Sequence, residues 1–229
     1  QTVDSSHLGS FRSIMRYYHR NYPWYQFGID LALGSGIDYP ISLREQAFAP
    51  VLIAEQLQGA TTGGRPLVSH IVEVNPQYID ATAGPTPWLL SPICVSALLL
   101  AITLIVTWRD IRRMRVSRWF DTVLFGMFGL AGCMLTFLIF ISVHEATSPN
   151  FLYMWLNPFC LIPVIFIWIK KCKKLVLCYH FTNFALVFAM AACWLWLPQS
   201  ANTAFIPLIL CDMTRSVSYI YITNFKRKQ

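Results

Sequence analysis

The sequence predicts an α-helical integral membrane protein, a five-span helical bundle preceded by a small, mostly helical exoplasmic segment with one strand. Three observations carry this. Hydrophobic residues make up 55% of the 229 positions and charged residues only 13%. Five apolar stretches (residues 88–108, 121–143, 151–169, 175–197 and 203–222) each approach the ~20 helical residues that cross a hydrocarbon core of ~30 Å. Beyond residue 87, twelve of thirteen Lys and Arg fall in three short runs between those stretches: Arg109, Arg112, Arg113, Arg115 and Arg118; Lys170, Lys171, Lys173 and Lys174; Lys226, Arg227 and Lys228. The alternate connections, residues 144–150 and 198–202, contain no Lys or Arg.

Short basic loops stay on the cytoplasmic side, so the pattern predicts an orientation as well as a location. Five spans put the termini on opposite sides. With the Lys226–Arg227–Lys228 tail inside, the first 86 or so residues lie outside.

The charge of +7 divides unevenly. Residues 1–87 carry five Arg and seven acids, and the remainder carries thirteen basic and four acidic residues. The basic excess therefore belongs to loops against an anionic leaflet, and membrane lipids are the partner it implies; no basic–aromatic surface for nucleic acid is visible. All seven cysteines (Cys94, Cys133, Cys160, Cys172, Cys178, Cys193 and Cys211) lie in the membrane half, where they read as packing residues. The outside segment has neither a disulfide framework nor a thiol nucleophile.

Residues 11–34 read as two helices separated at Pro23, with Gly34 as a C-terminal stop. Ser42 and Glu45 have capping-box spacing. The helix they start is expected to bury Phe48, Val51, Leu52 and Leu57, to bend at Pro50 and to end near Gly59. Gly63 and Gly64 make a turn, and residues 67–74 form a β-branched run that reads as a strand. A lone strand needs ladder partners, and the chain opens at Gln1 without the charged start and apolar core of a signal peptide. An upstream part of the same domain is therefore expected. Residues 1–74 form the soluble segment, 75–87 a Pro-rich linker and 88–225 the bundle.

Ionisable residues inside spans cost roughly 2.5–3.5 kcal/mol each at a helix centre, which makes them site candidates. Asp212 and Arg215 sit three apart in the fifth span and share a face, where they are expected to pair in a salt bridge that fixes helix packing; a site for a lipid headgroup or acyl substrate is the alternative. His180 and Asn183 share a face of the fourth span and suit hydrogen bonds to a neighbouring helix. Asn157–Pro158 and Pro163 kink the third span. The loop HEATSPN (144–150) places His144, Glu145, Thr147 and Asn150 at the outer membrane surface, where a His can orient a carbonyl or move a proton and Asn150 can cap the next span. His7, His19 and His70 have no Cys or Ser partner at an informative spacing, and no metal, phosphate-loop or nucleophile-elbow motif occurs.

Several stretches together resemble one family: FRSIMRYYHRNYPWYQFGIDLALGS (11–35), ISLREQAFAPVLIAEQL (41–57) with GRPLV (64–68), HEATSPN with LNP (144–150, 156–158), and QSANTAFIPLILC (199–211). They are similar to the C-terminal part of the lipoprotein N-acyltransferases of Bacteroidota. The resemblance implies a papain-like α+β periplasmic domain, of which residues 1–74 are the tail, followed by a bundle in the bacterial inner membrane. It implies acyl transfer to the α-amino group of the lipidated N-terminal cysteine of a lipoprotein substrate, through a thioester on a Cys paired with a His. Those family motifs precede residue 11, so no catalytic residue falls in this chain, and no cofactor or metal is implied. His144, Thr147, Asn150, Asn157 and Asn202 are the candidates for substrate placement. A non-catalytic anchor for a peptidase-like domain is the alternative. A small transporter is a third reading, disfavoured by five spans with no internal repeat.

Overall fold

A computed structural model describes residues 9–68, 70, 72 and 85–225. The soluble segment begins with α1 (Phe11–Tyr18), started by a capping box between Ser10 and Ser13. Helix α2 (Pro23–Ala32) follows, with Pro23 at its first position. Gly34 does not stop this helix through a left-handed conformation; its φ is −82°. Its role is close approach, because a Cβ there would stand 2.4 Å from the Pro149 carbonyl oxygen in a bundle loop.

The Ser42–Glu45 capping box forms, and the Ser42 N–H and hydroxyl, with the Tyr39 hydroxyl, hold the Glu45 carboxyl below its usual range. The helix it starts is shorter than the spacing predicts. α3 (Leu43–Gln46) ends before Pro50, and α4 (Pro50–Gly59) starts afresh there. Pro50 thus separates two helices where a bend was expected, since its ring cannot continue the preceding turn. Only Leu52 of the expected apolar set is buried; it packs with Ile14 and Ala49, whereas Phe48, Val51 and Leu57 are exposed.

Two short strands follow, β1 (Thr61–Thr62) and β2 (Arg65–Pro66), antiparallel around Gly63 and Gly64. Both glycines have positive φ, 55° and 77°, as a tight hairpin turn requires. The strand expected over 67–74 is not formed at Leu67 or Val68; most of the rest of that run, and of the linker, lies outside the described residues. The pairing is local because Gly63–Gly64 brings residues 61–62 and 65–66 together before Leu67 is reached.

Among the described residues, four helices are long and apolar enough to cross a membrane: α5 (Pro92–Arg113), α6 (Arg118–Phe140), α8 (Lys173–Ala192) and α9 (Phe205–Phe225). The third expected span is not one helix. It descends as 3₁₀ turns at Phe151–Met154 and Pro158–Cys160 and then as α7 (Leu161–Phe166). Asn157–Pro158 and Pro163 break the α-ladder, and asparagine side chains replace part of it. Asn150 Oδ1 accepts from the Leu152 N–H and Asn157 Oδ1 from the Phe159 N–H, each at 3.1 Å. Irregular backbone at membrane depth is tolerated where it is satisfied and enclosed in this way.

The broken segment lies against α6 through glycines. A Cβ at Gly132 would stand 2.3 Å from the Asn157 carbonyl carbon, and one at Gly129 would stand 2.5 Å from Leu161. The core above them joins Phe125, Phe128 and Leu135 of α6 with Trp155, Leu156 and Cys160, and with Phe205 and Ile209 of α9. Helix α9 is the central element, with 56% of its apolar window buried against 22% for α5. The soluble segment sits on one end of the bundle, here the head end; Arg115, Arg118, Lys170 and Lys173 gather at the other, the basic end.

Gly132→Ala is expected to lower stability by about 1–3 kcal/mol, because packed backbone must move. Gly126→Ala, whose Cβ would meet only Val164 at 3.9 Å, is expected to be neutral. Thermal melting in detergent distinguishes the two.

Candidate functional site

Two polar constellations hold the molecule together, one at the head end and one inside the bundle. At the head end, Arg12 is buried among acceptors from its own segment. Its Nη1 donates to Asp30 Oδ1 (2.9 Å), its Nε to Asp38 Oδ1 (2.8 Å), and its Nη2 to the Leu33 and Gly34 carbonyls (3.0 and 2.7 Å). Asp30, at 0% exposure, then reaches across to the bundle, accepting from Asn202 Nδ2 at 3.0 Å. Arg16 bridges the same gap, donating to Asp30 Oδ1 at 3.1 Å and to the Ser200 carbonyl at 2.6 Å.

The HEATSPN loop completes the joint. Gly34 N–H donates to the Ala146 carbonyl (2.9 Å) and Ser35 N–H to the Pro149 carbonyl (2.7 Å). Asn150 Nδ2 donates to the Leu31 carbonyl (3.0 Å), and Gln199 Nε2 donates to both Leu33 O and Asn150 Oδ1. Phe27 of α2 packs on Phe205 of α9, ring centroids 4.8 Å apart. The soluble segment is therefore seated on the bundle.

Inside the bundle, Arg215 of α9 is fully buried. Its Nε donates to Asp121 of α6 (2.6 Å), its Nη2 to Asp110 of α5 (2.8 Å) and its Nη1 to Thr107 of α5 (2.9 Å). The expected pairing of Arg215 with Asp212 is not made. Three residues along a helix differ by about 60° in direction, enough to face different neighbours. Asp212 instead faces α8 and accepts from Asn183 Nδ2, and from Ser216 Oγ at 3.2 Å. His180 Nδ1 lies 3.2 Å from Ser216 Oγ, and its ring stacks on Tyr219 at 4.4 Å. Three helices thus meet at one guanidinium, and α8 is tied to α9 one turn away.

A family model for the Lnb transmembrane domain matches residues 85–228, well over half of the chain. The chain belongs to this family. No curated protein and no solved structure matches it.

Among the described residues of this Lnb-family chain, a cleft of 260 Å³ opens where the soluble segment meets the bundle. It is lined by Arg16, Gln26, Ser91, Pro92, Ile93 and Asn202, among others. It lies beside a rim of exposed apolar side chains at the same end, including Trp88, Leu89 and Leu90. Arg16 and Asn202 already bond Asp30, Ser200 and Ala204, so the amide of Gln26, which makes no side-chain bond among the described residues, is the group the cleft offers to a polar ligand above the apolar rim.

The five residues expected to place substrate fall in different settings. Thr147 is buried and donates to the Leu138 and His144 carbonyls. Asn150 and Asn202 join the head-end network, and Asn157 caps the turn at Pro158–Cys160. His144 is exposed at the head end, and Asn202 alone of the five lines the cleft. His19 ends α1 with its ring edge-on to Tyr25, His70 is exposed, and His7 lies outside the described residues.

Sequence reasoning missed Arg12, Asp30 and Gln199, which carry no local signature of burial. It also missed Asp110 and Asp121 as partners. Their signal was present: of the four acids beyond residue 87, three sit in or beside spans, and Arg215 is the one cation outside the basic runs.

Arg215→Met is expected to destabilise the bundle by about 3–5 kcal/mol, since two buried carboxylates lose their cation. Adding Asp121→Leu is expected to restore part of that loss, whereas adding Asp212→Asn is not. The yield of monodisperse protein and its melting temperature read all three.

Proposed function

We propose that this chain is the membrane half of an acyltransferase that N-acylates the lipidated N-terminal cysteine of bacterial lipoproteins. The catalytic Cys and His belong to an upstream part of the same polypeptide. The head end faces the periplasm and the basic end the cytoplasm, in the bacterial inner membrane.

The observation that carries this reading is the seating of the soluble segment on the bundle loops beside the Arg16–Ser91–Asn202 cleft. Membership of the Lnb transmembrane domain family supports the same assignment. In the reaction, a thiolate displaces the alcohol of an acyl ester to give a thioester. The amine then attacks the thioester carbonyl, leaving an amide and restoring the thiol. This chain's part is positional. Arg16 and Asp30 fix the soluble segment against the bundle, with Arg12 holding Asp30 in place, and with the segment any domain built upon it. The cleft holds the polar end of a lipidated substrate at the height of that domain, which converts a two-dimensional encounter into a fixed one. His144, exposed at the same end, is available to a substrate carbonyl.

A second reading, a non-catalytic anchor, is favoured by one observation: the polar atoms of Thr147, Asn150 and Asn157 are engaged in bonds within the protein. One substitution separates the two readings. Gln26 lines the cleft from α2, is only half-buried and makes no side-chain hydrogen bond among the described residues, so Gln26→Trp narrows the cleft with little cost to the fold. In the full-length polypeptide, the acyltransferase reading expects this change to lower N-acylation by about tenfold or more, with the melting temperature unchanged. The mass of the substrate lipoprotein's N-terminal peptide reports the acyl count. Unaltered N-acylation would assign the chain to the anchor reading.

A further inference from the structure

The basic end of the bundle contains a cavity of 680 Å³, at the opposite end from the head-end cleft. Its rim carries Arg115, Arg118, Lys170 and Lys173, all exposed, and no carboxylate among the described residues lines it. Its floor is buried and mostly apolar: Ile167, Tyr219 and Ile222, with Thr223 supplying a hydroxyl. Trp119 and Trp168 form one wall, ring centroids 4.7 Å apart, with Trp168 Nε1 held by Thr122 Oγ1 at 3.1 Å. Four cations above an apolar floor and beside a tryptophan pair match a molecule with an anionic head and an apolar body.

Two further features sharpen the match. Among the described residues, the carboxylates nearest this end, Asp110 and Asp121, are both bonded to Arg215, which offsets one of their two charges and leaves the four rim cations in excess. The N-terminus of α6 also opens here. Its N-cap residue, Ser117, turns its hydroxyl to Asp110 Oδ1 (2.6 Å) and makes no side-chain bond to the first turn. The first-turn N–H groups and the positive end of the helix dipole thus add to the charge of Arg118 and its neighbours.

We infer that this cavity is a binding site for an anionic glycerophospholipid, with the phosphodiester held by Arg115, Arg118, Lys170 and Lys173 and an acyl chain lying along Trp119, Trp168 and Ile167. The site is separate from the proposed acyl-transfer cleft and independent of that function. It clamps the α5–α6 turn to the start of α8, next to the carboxylates that hold Arg215. Basic pockets between spanning helices take lipid headgroups by this combination of charge and depth.

Native mass spectrometry of the detergent-solubilised protein, titrated with phosphatidylglycerol and separately with phosphatidylcholine, tests the assignment. Phosphatidylglycerol is expected to be retained in preference, one molecule per chain. The variant Arg118→Gln/Lys170→Gln/Lys173→Gln is expected to bind it about 100-fold more weakly, from roughly fivefold per cation. Arg113→Gln/Lys171→Gln/Lys174→Gln removes the same charge from residues that do not line the cavity, and is expected to change binding by about fivefold or less. Equal losses in the two triple variants would mean diffuse surface attraction and overturn the site. So would equal retention of the two lipids, or tight binding of inorganic phosphate without retention of lipid. If the first triple variant fails to melt cooperatively, Lys170→Gln and Lys173→Gln are measured singly. A fivefold loss in each supports the site, and no loss in either overturns it.

Discussion

One buried guanidinium organises the bundle. A cation in hydrocarbon must be matched by charge and by hydrogen bonds, and Arg215 obtains both from helices on two sides of α9. Asp110 comes from the last turn of α5 and Asp121 from the first turn of α6, so matching the charge also sets how the two helices meet. Asp110 does a second task in the same place. Its carboxylate accepts from the Ser117 N–H (2.8 Å) and hydroxyl, closing the α5–α6 connection, where Met114 adopts a positive φ of 47°. Lipid tails are as apolar as Leu and supply no hydrophobic force between helices, so polar ties of this kind and close packing must do that work. The Asp212–Asn183–Ser216–His180 group extends the same logic from α9 to α8.

The third span is what this arrangement leaves room for. With α5, α6, α8 and α9 tied through polar side chains, the polypeptide between residues 150 and 170 fills the space against α6. Gly129 and Gly132 let its backbone approach more closely than any side chain would allow. An unbroken α-helix needs about 10 Å of clearance from its neighbours' axes. The broken path comes closer, and Asn150 and Asn157 meet the hydrogen bonds that the missing turns forgo. Asn150 also accepts from Gln199, so the start of the third span and the joint at the head end share one amide.

That joint bears on function. A soluble segment tethered only by a linker would sample many heights above the membrane. Here Arg16 and Asp30 bind residues 200 and 202, and the 146–149 loop receives Gly34 and Ser35. The segment is held by charged hydrogen bonds with partners from both sides of the joint, several of them buried, where such bonds are strongest. The acyl transfer proposed above, between a membrane-embedded lipid and an amine at the surface, would depend on this kind of fixed geometry.

The sequence by itself determined the class of the protein, the four long apolar helices to within about five residues at their ends, the location of the basic runs and the capping box at Ser42. Each of these is a local property: hydropathy over a window, charge in a loop, or a spacing of three. Long-range pairings were decided only by the tertiary structure. Asp212 and Arg215 are adjacent in sequence and face different helices. Asp30 meets residue 202, and Gly34, which follows the end of α2 as expected, is also a contact point against the 146–149 loop. Pro158 and Pro163 announced a disturbed third span, but whether it would kink or break depended on the glycines of α6 across from it. Charge and close approach act through space, so a pattern along the chain names the residues that need partners, and only the folded chain selects which partners they find.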